Sequence, residues 1–264
     1  MRLKDKVAVI TGGSRGLGKS VAARFLEEGA TVVITATDEV RLRGTADELS
    51  RLGAVEGVRM DVSQFGAVQQ TMQGIIERYG RVDILVNNAG IPSGERGSGA
   101  YLLTKQATTS TSGALLVDMT EEQFDRVLTV NLKGVFACAK AVAGHMVTRG
   151  YGRIINMSSI TAHNGSFGQT NYAASKAAII SMTQTWAKEL GPQGITVNAV
   201  APGYTMTEMI GSASGQILDI IRERTPLKRL GTPEEMAAAC AYLASDEAAF
   251  VNGAVLKVDG GLVL

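Results

Sequence analysis

Val7-Ala8-Val9-Ile10-Thr11-Gly12-Gly13-Ser14-Arg15-Gly16-Leu17-Gly18 is the stretch whose reading decides the fold. Its first four residues form a continuous apolar run, the pattern of a strand buried on both faces of a parallel sheet. Glycines at 12, 16 and 18 permit a tight turn, and Leu17, Val21, Phe25 and Leu26 mark the apolar face of a helix from about Leu17 to Glu28. A second apolar run, Thr31-Val32-Val33-Ile34, follows. Strand, glycine turn, helix and strand form a crossover unit. Its helix N-terminus offers unpaired N–H groups and the positive end of a dipole to an anion such as a pyrophosphate. The expected fold class is α/β, a Rossmann-type doubly wound parallel sheet of about seven strands flanked by helices.

Composition sets the outer bounds. A chain of 264 residues with 45% hydrophobic residues can bury one large core, and a single domain spanning 1–264 is expected. Twenty-six basic residues face 25 acidic ones with the signs interspersed, so no basic stripe points to nucleic acid. Cys138 and Cys240 sit in alanine-rich helical surroundings, as reduced buried thiols do. The N-terminus runs directly into a strand without a signal-peptide pattern, and no apolar stretch reads as long enough to span a bilayer; a cytoplasmic protein is expected.

A second informative stretch is Asn171-Tyr172-Ala173-Ala174-Ser175-Lys176, preceded by Ser159. On a helix, Tyr172 and Lys176 project from one face, one turn apart. An ammonium there favours a phenolate and would lower the tyrosine's pKa toward neutrality, although Tyr-x-x-x-Lys alone is also an ordinary helix face. Further patterns accompany it. Ile84-Leu85-Val86 leads into Asn87-Asn88-Ala89-Gly90; Asp61-Val62 follows a strand-like segment from Val55 to Met60; Asn131 lies within a long helical pattern from Glu121 to Thr148. Ile154 to Ser159 reads as a strand ending at a serine, and Pro202-Gly203 follows a strand from Val197 to Val200. Thr232 and Pro233 start a helix that leads to a last strand, Ala254 to Val258.

Together these motifs, in this order across almost the whole chain, resemble the short-chain dehydrogenase/reductase family. Thr-Gly-x-x-x-Gly-x-Gly is similar to that family's cofactor fingerprint. The resemblance implies hydride transfer between a nicotinamide and a carbonyl or secondary alcohol. Ser159 would donate a hydrogen bond to the carbonyl oxygen, Tyr172 would deliver the proton, Lys176 would assist Tyr172 and hold the nicotinamide ribose, and Asn131 would position a water. It places Gly12, Ser14, Arg15, Gly16, Leu17 and Gly18 at the cofactor phosphates, Asp61 and Val62 at the adenine, and Asn88, Ala89 and Gly90 over the cofactor. Pro202, Gly203, Thr205 and Thr207 fall beside the nicotinamide. No His, Cys or carboxylate cluster has metal-ligand spacing, and no metal is expected.

For the cofactor, NADP(H) is favoured over NAD(H). The position after the second strand where NAD-binding members carry a ribose-binding carboxylate is Ala36 here, while Arg15 and Thr37 suit a 2′-phosphate. Asp38, one residue on, argues the other way. Two segments face the substrate in this reading. Pro92 to Gly113 is rich in Ser, Gly and Thr, reads as an insertion loop of about 20 residues, and is either a lid, with Ala100 to Leu103 folding over substrate, or a surface excursion. Tyr204 to Arg229 carries Met206, Met209, Ile210, Ile217, Leu218 and Ile221 and is either a substrate lid or an amphipathic helix. His163 edges the pocket or is solvated, and His145 reads as a helix-surface residue.

Val135, Phe136, Ala139 and Val142, with the stripe Ala178, Met182, Thr185 and Trp186, resemble the helices that pair subunits in the family, and a homotetramer is expected. Three functions stand side by side: reduction of a ketone of a free small molecule, favoured by the insertion; reduction of a 3-oxoacyl thioester on acyl carrier protein or CoA; and a non-catalytic dinucleotide sensor. Against a carrier protein, the loop Gly191 to Gly194 lacks a basic residue, with Arg149 and Arg153 as partial compensation.

Overall fold

A computed structural model of the chain describes residues 1–94, 115–207 and 215–263. The strands are β1 (Val7–Thr11), β2 (Thr31–Ala36), β3 (Val55–Arg59), β4 (Ile84–Asn87), β5 (Gly152–Met157), β6 (Ile195–Pro202) and β7 (Val255–Val258). They form one parallel sheet in the order β3-β2-β1-β4-β5-β6-β7. The strand order reverses between β1 and β4, so a crevice opens at the carboxyl ends of these two neighbours.

The apolar runs lack alternation because both faces are covered. Ala8, Ile10, Val32, Ile34, Ile84 and Val86 pack on one side under α1 (Gly16–Glu27), α2 (Glu39–Leu49) and a helix near the C-terminus, Pro233–Ala244. Val9, Val33, Leu85, Ile154 and Val197 face the other side, under α3 (Phe65–Tyr79) and two longer helices. Those two are α5 (Gly134–Arg149) and α7 (Thr170–Leu190); between the strands also lie α4 (Glu121–Leu128) and α6 (Thr161–Asn164). Gly215–Arg224 is α8 and Pro233–Ala244 is α9, which begins with a capping box between Thr232 and Glu235 and with Pro233 in its first turn.

Several expectations change in detail. The helical pattern from Glu121 to Thr148 is interrupted by a π turn, Thr129–Lys133, that joins α4 to α5. One inserted residue shifts the phase of the helical pattern without altering its composition, so the apolar content of the run gives no sign of it. This run, Glu121–Arg149, is long and apolar enough to cross a membrane by composition, with a mean hydropathy of 1.3 over its best window. Its apolar side is packed on the sheet through Ala137, Cys138, Val142 and Met146, as in the core helix of an α/β protein. Part of the expected subunit-pairing face is corrected for the same reason. Val135, Ala139 and Val142 are 4%, 4% and 0% exposed and belong to the chain's own core, and Trp186 packs against the same cluster. Phe136 does face outward, stacked on Phe65 with ring centroids 6.2 Å apart. His145 is half-buried, not on the open surface, and burial lowers its pKa.

Arg149 and Arg153 also move from the role assigned to them. Asp83, fully buried just before β4, accepts hydrogen bonds from Val7 N at 2.8 Å, Arg81 Nε and Nη2 at 2.7 Å each, and Arg149 Nη1 at 3.1 Å. Arg153, 5% exposed, stacks over Tyr151 and pairs with Asp246 at 3.1 Å. These contacts lie where β1, β4 and β5 begin, at the edge of the sheet opposite its carboxyl ends. Both arginines are structural there. Burial would push the Asp83 carboxyl upward, but its hydrogen bonds to Arg81 and Val7 hold it below its ordinary value of 3.8. A carboxylate with a depressed folded-state pKa stabilises fully above its unfolded pKa and loses that contribution as acid protonates it. Asp83→Asn is therefore expected to destabilise the protein by about 3 kcal/mol near neutral pH, since it leaves Arg81 and Arg149 without their buried partner. Urea unfolding should show that gap narrowing as pH falls below about 4.

Candidate active site

The glycine turn is held by its neighbours across the switch point. Gly12 has φ +65°, and a Cβ on it would lie 2.9 Å from Ala89 Cα. Thr11 Oγ1 accepts from the N–H groups of Asn88 and Ala89, both at 3.0 Å. The Asn88 amide donates back to Thr11 O at 2.9 Å and Gly12 O at 3.1 Å. Gly18 allows close packing: its Cβ would fall 2.3 Å from Gly12 O and 2.5 Å from Asn88 Nδ2. Gly16, at φ +53°, has nothing within 4 Å of a built Cβ, and no side chain caps α1 behind it. An open space therefore adjoins a helix N-terminus with uncapped N–H groups, which fits a dinucleotide pyrophosphate. Ser14 is buried with its carbonyl accepting from Thr45 Oγ1 at 2.9 Å, Leu17 is half-buried, and Arg15 is exposed at the N-cap.

At the carboxyl ends of β2 and β3, the geometry bears on the adenosine side. Ala36 ends β2 and Thr37 is exposed. Asp38 caps α2, accepting from Arg41 N at 3.0 Å, with the Arg41 guanidinium 3.8 Å away. Arg59, a residue the sequence pattern did not single out, donates from Nε to Thr37 O at 3.3 Å. Its terminal nitrogens have no partner among the described residues. Asp61 is exposed and accepts from Ser63 N and Oγ at 2.9 and 2.7 Å, while Val62 packs under Gly134.

Asn131, Ser159, Tyr172 and Lys176 converge beside Gly90. Asn131, 0% exposed on the π turn, accepts from Ile91 N at 2.8 Å and donates to Ile91 O at 2.9 Å. A Cβ on Gly90 would sit 3.3 Å from Asn131 Oδ1 and 3.7 Å from Lys176 Nζ, so glycine keeps the space between them open. Lys176 Nζ donates to Met157 O at 2.7 Å and lies 5.6 Å from the Tyr172 ring centroid. Burial pushes the Lys176 ammonium down to about 8. Burial also pushes the Tyr172 hydroxyl up, opposed by a hydrogen bond with the Ser159 side chain. In the protein alone, burial sets the direction of the Tyr172 shift, upward from its ordinary value, where Lys176 was expected to lower it. Both shifts favour the uncharged forms.

The other expected contacts divide. Pro202 ends β6 and its carbonyl accepts from Ile160 N at 3.2 Å, while a Cβ on Gly203 would meet Asp259 Cα at 2.7 Å. Thr205 is buried with its hydroxyl on Gly203 O at 3.2 Å, so its side chain braces the turn, and Thr207 is half-exposed. His163 is exposed on α6. Met206 is 41% exposed and Ile221 is 1% exposed on α8. Met209, Ile210 and residues 95–113 of the expected insertion, including Ala100 to Leu103, lie outside the described residues, as does the Ile217 side chain.

A family model described as Enoyl-(Acyl carrier protein) reductase matches residues 12–263. The chain is 42% identical to the 3-oxoacyl-[acyl-carrier-protein] reductase FabG of Thermotoga maritima over 265 residues, covering 100% of both. It is 38% identical to the FabG of Vibrio cholerae over 264 residues, again covering 100% of both. With the (2S)-[(R)-hydroxy(phenyl)methyl]succinyl-CoA dehydrogenase subunit BbsD of Thauera aromatica it shares 41% identity over 262 residues, covering 99% of this chain and 98% of that one. A crystal structure of a "putative gluconate dehydrogenase" from Agrobacterium tumefaciens superposes with a TM-score of 0.88 at 30% identity, covering 99% and 98% of the two chains.

Gly18→Ala tests the pyrophosphate cradle, because the methyl must displace Gly12 O and the Asn88 amide. Nicotinamide-dinucleotide affinity, read by fluorescence titration, is expected to fall by about 100-fold, the equivalent of ~2.7 kcal/mol.

Proposed function

Since the chain belongs to the short-chain dehydrogenase/reductase family and is an oxidoreductase acting on a ketone or CH–OH group, we propose that it is an NADP(H)-dependent reductase of a 3-oxoacyl thioester. The observation that carries the substrate class is full-length identity of 36–42% to several 3-oxoacyl-[acyl-carrier-protein] reductases, together with 41% to the (2S)-[(R)-hydroxy(phenyl)methyl]succinyl-CoA dehydrogenase subunit, whose substrate is a hydroxylated CoA thioester. This moves the weight from a free small-molecule ketone to a thioester. Removal of Arg149 and Arg153 to the far edge of the sheet favours CoA over an acidic carrier protein, because neither arginine is available near the site.

Gly12, Gly16 and Gly18 would hold the pyrophosphate, and Asn88, Ala89 and Gly90 would close over the dinucleotide. When bound, the reduced nicotinamide supplies a hydride to the ketone carbon. Negative charge then builds on the carbonyl oxygen, where Ser159 Oγ donates a hydrogen bond and Tyr172 gives its proton. Lys176, as an ammonium, stabilises the tyrosinate left behind, and Asn131 fixes the Ile91 segment that borders the site. Support for NADP(H) comes from the β2 end. No carboxylate stands at Ala36, Asp38 is engaged by α2 and Arg41, Arg59 lies against Thr37, and Arg15 is exposed at the N-cap of α1. Two guanidinium groups suit a 2′-phosphate. A homotetramer in the cytoplasm belongs to the same proposal, with the exposed Phe65–Phe136 pair as its apolar contact.

With a short 3-oxoacyl-CoA as substrate and absorbance of the reduced nicotinamide as readout, Tyr172→Phe is expected to lower kcat by 10³-fold or more while cofactor affinity stays within about twofold. Wild-type reduction should decline above about pH 8, where Lys176 loses its proton. Arg15→Ala and Arg59→Ala are each expected to reduce the NADPH-over-NADH ratio of kcat/KM by roughly 10-fold; wild-type preference for NADH sinks the cofactor reading.

A further inference from the structure

Asn171 has a role that the proton-transfer scheme does not use. It is 0% exposed in the first turn of α7, next to Tyr172, and both of its amide atoms are committed to other segments. Oδ1 accepts from the Tyr172 backbone N–H at 2.8 Å and lies 2.7 Å from the Ser93 hydroxyl, whose single proton is shared with Gly168 O at 3.0 Å. Nδ2 donates to Gln123 O, on α4, at 2.9 Å. Ser93 is 5% exposed and stands three residues beyond Gly90.

The other end of the Tyr172 peptide is held as well. Ser175 Oγ donates to Tyr172 O at 2.7 Å and accepts from Asn131 Nδ2 at 3.4 Å. Asn131 in turn clamps the backbone of Ile91. A closed ring of buried hydrogen bonds therefore runs from the 91–93 segment through Asn131, Ser175, Tyr172 and Asn171 back to Ser93. Tyr172 contributes to this ring through its backbone, so the ring sets where the hydroxyl sits relative to the Asn88–Gly90 turn.

We propose that Asn171, through Ser93 and Gln123, is a positioning residue that fixes Tyr172 against the turn after β4. The proposal rests on Tyr172 being the proton donor. Low-dielectric surroundings make such a ring stiff when every member is satisfied and costly when one is missing. A displacement of about 1 Å at a proton donor costs up to about 100-fold in rate.

The test uses the full chain with a short 3-oxoacyl-CoA and NADPH. Ser93→Ala and Asn171→Ala are each expected to lower kcat by roughly 10- to 100-fold with the NADPH dissociation constant changed less than about twofold. The double variant should be no slower than Asn171→Ala, because both substitutions break one connection. Ser93→Thr, which keeps the hydroxyl, should restore kcat. A substrate-independent readout accompanies these: the tyrosinate absorbance titration of Tyr172, taken as a difference against Tyr172→Phe, should shift in Ser93→Ala. A lower melting temperature with kcat and the Tyr172 titration unchanged overturns the proposal, as does loss of cofactor affinity with kcat retained. If Asn171→Ala does not fold, Ser93→Ala and Ser93→Thr decide alone. Full turnover in Tyr172→Phe would refute the proton-donor assignment itself, and is measured first so that the two failures are told apart.

Discussion

The hydrogen bonds between the Asn88 amide and the carbonyls of Thr11 and Gly12 fix the two halves of the sheet to each other where a ligand must enter. A parallel sheet leaves its last carbonyls and N–H groups unpaired at the strand ends, and the reversal of strand order separates the loops that would cover them. Asn88 fills that gap from the β4 side, and Thr11 Oγ1 answers from the β1 side by accepting from Asn88 and Ala89. The glycine turn can then lie open to a phosphate, because its own backbone is already tied down. This clamp helps hold the positive φ of Gly12 and the close approach of Gly18.

Once the turn is fixed, the site accepts an electrostatic cost elsewhere. Lys176 is 5% exposed, and its ammonium meets a backbone carbonyl and an aromatic face, with no carboxylate beside it among the described residues. A buried, unpaired ammonium is expensive, which is why its pKa falls to about 8. In the proposed reaction, charge that appears on a substrate oxygen or on Tyr172 would be charge that Lys176 could meet. The neutral bias of the protein alone is thus a form of preorganisation for the charged intermediate stages.

Much of this was legible in the sequence, for physical reasons that differ by residue. Strands buried on both faces read as unbroken apolar runs, so Val7 to Ile10 and Ile84 to Val86 could hardly be anything else. Gly12, Gly16 and Gly18 were legible because φ and close packing exclude other side chains. The π turn at Asn131 was not, since a single inserted residue shifts phase without altering composition. The pairing face was misread at Val135, Ala139 and Val142 because an apolar stripe does not say whether it meets the sheet or another subunit. Arg149 and Arg153 were misread although strand direction held the answer: a residue at the start of a parallel strand lies at the edge away from the ligand. Ser93 and Asn171 gave no signal, because a serine in a polar loop and an asparagine beside Tyr172 acquire meaning only when the two segments meet.

The same meeting explains how the segment between β4 and α4 can be long in this chain. Its near flank is fixed by Asn131 on Ile91 and by Asn171 on Ser93; its far flank is fixed by the Thr120–Gln123 capping box and by the Asn171 amide on Gln123 O. The ends of the connection are therefore held by side chains that belong to the site, independent of the chain between them. Closing a longer connection between fixed ends costs little, about 0.6 kcal/mol per doubling of length. Length and composition there can change to suit a substrate while Tyr172, Asn131 and the Asn88–Gly90 turn keep their relation to one another. In the proposed reaction, variation in substrate would thus be separated from the geometry of proton transfer by a handful of buried hydrogen bonds.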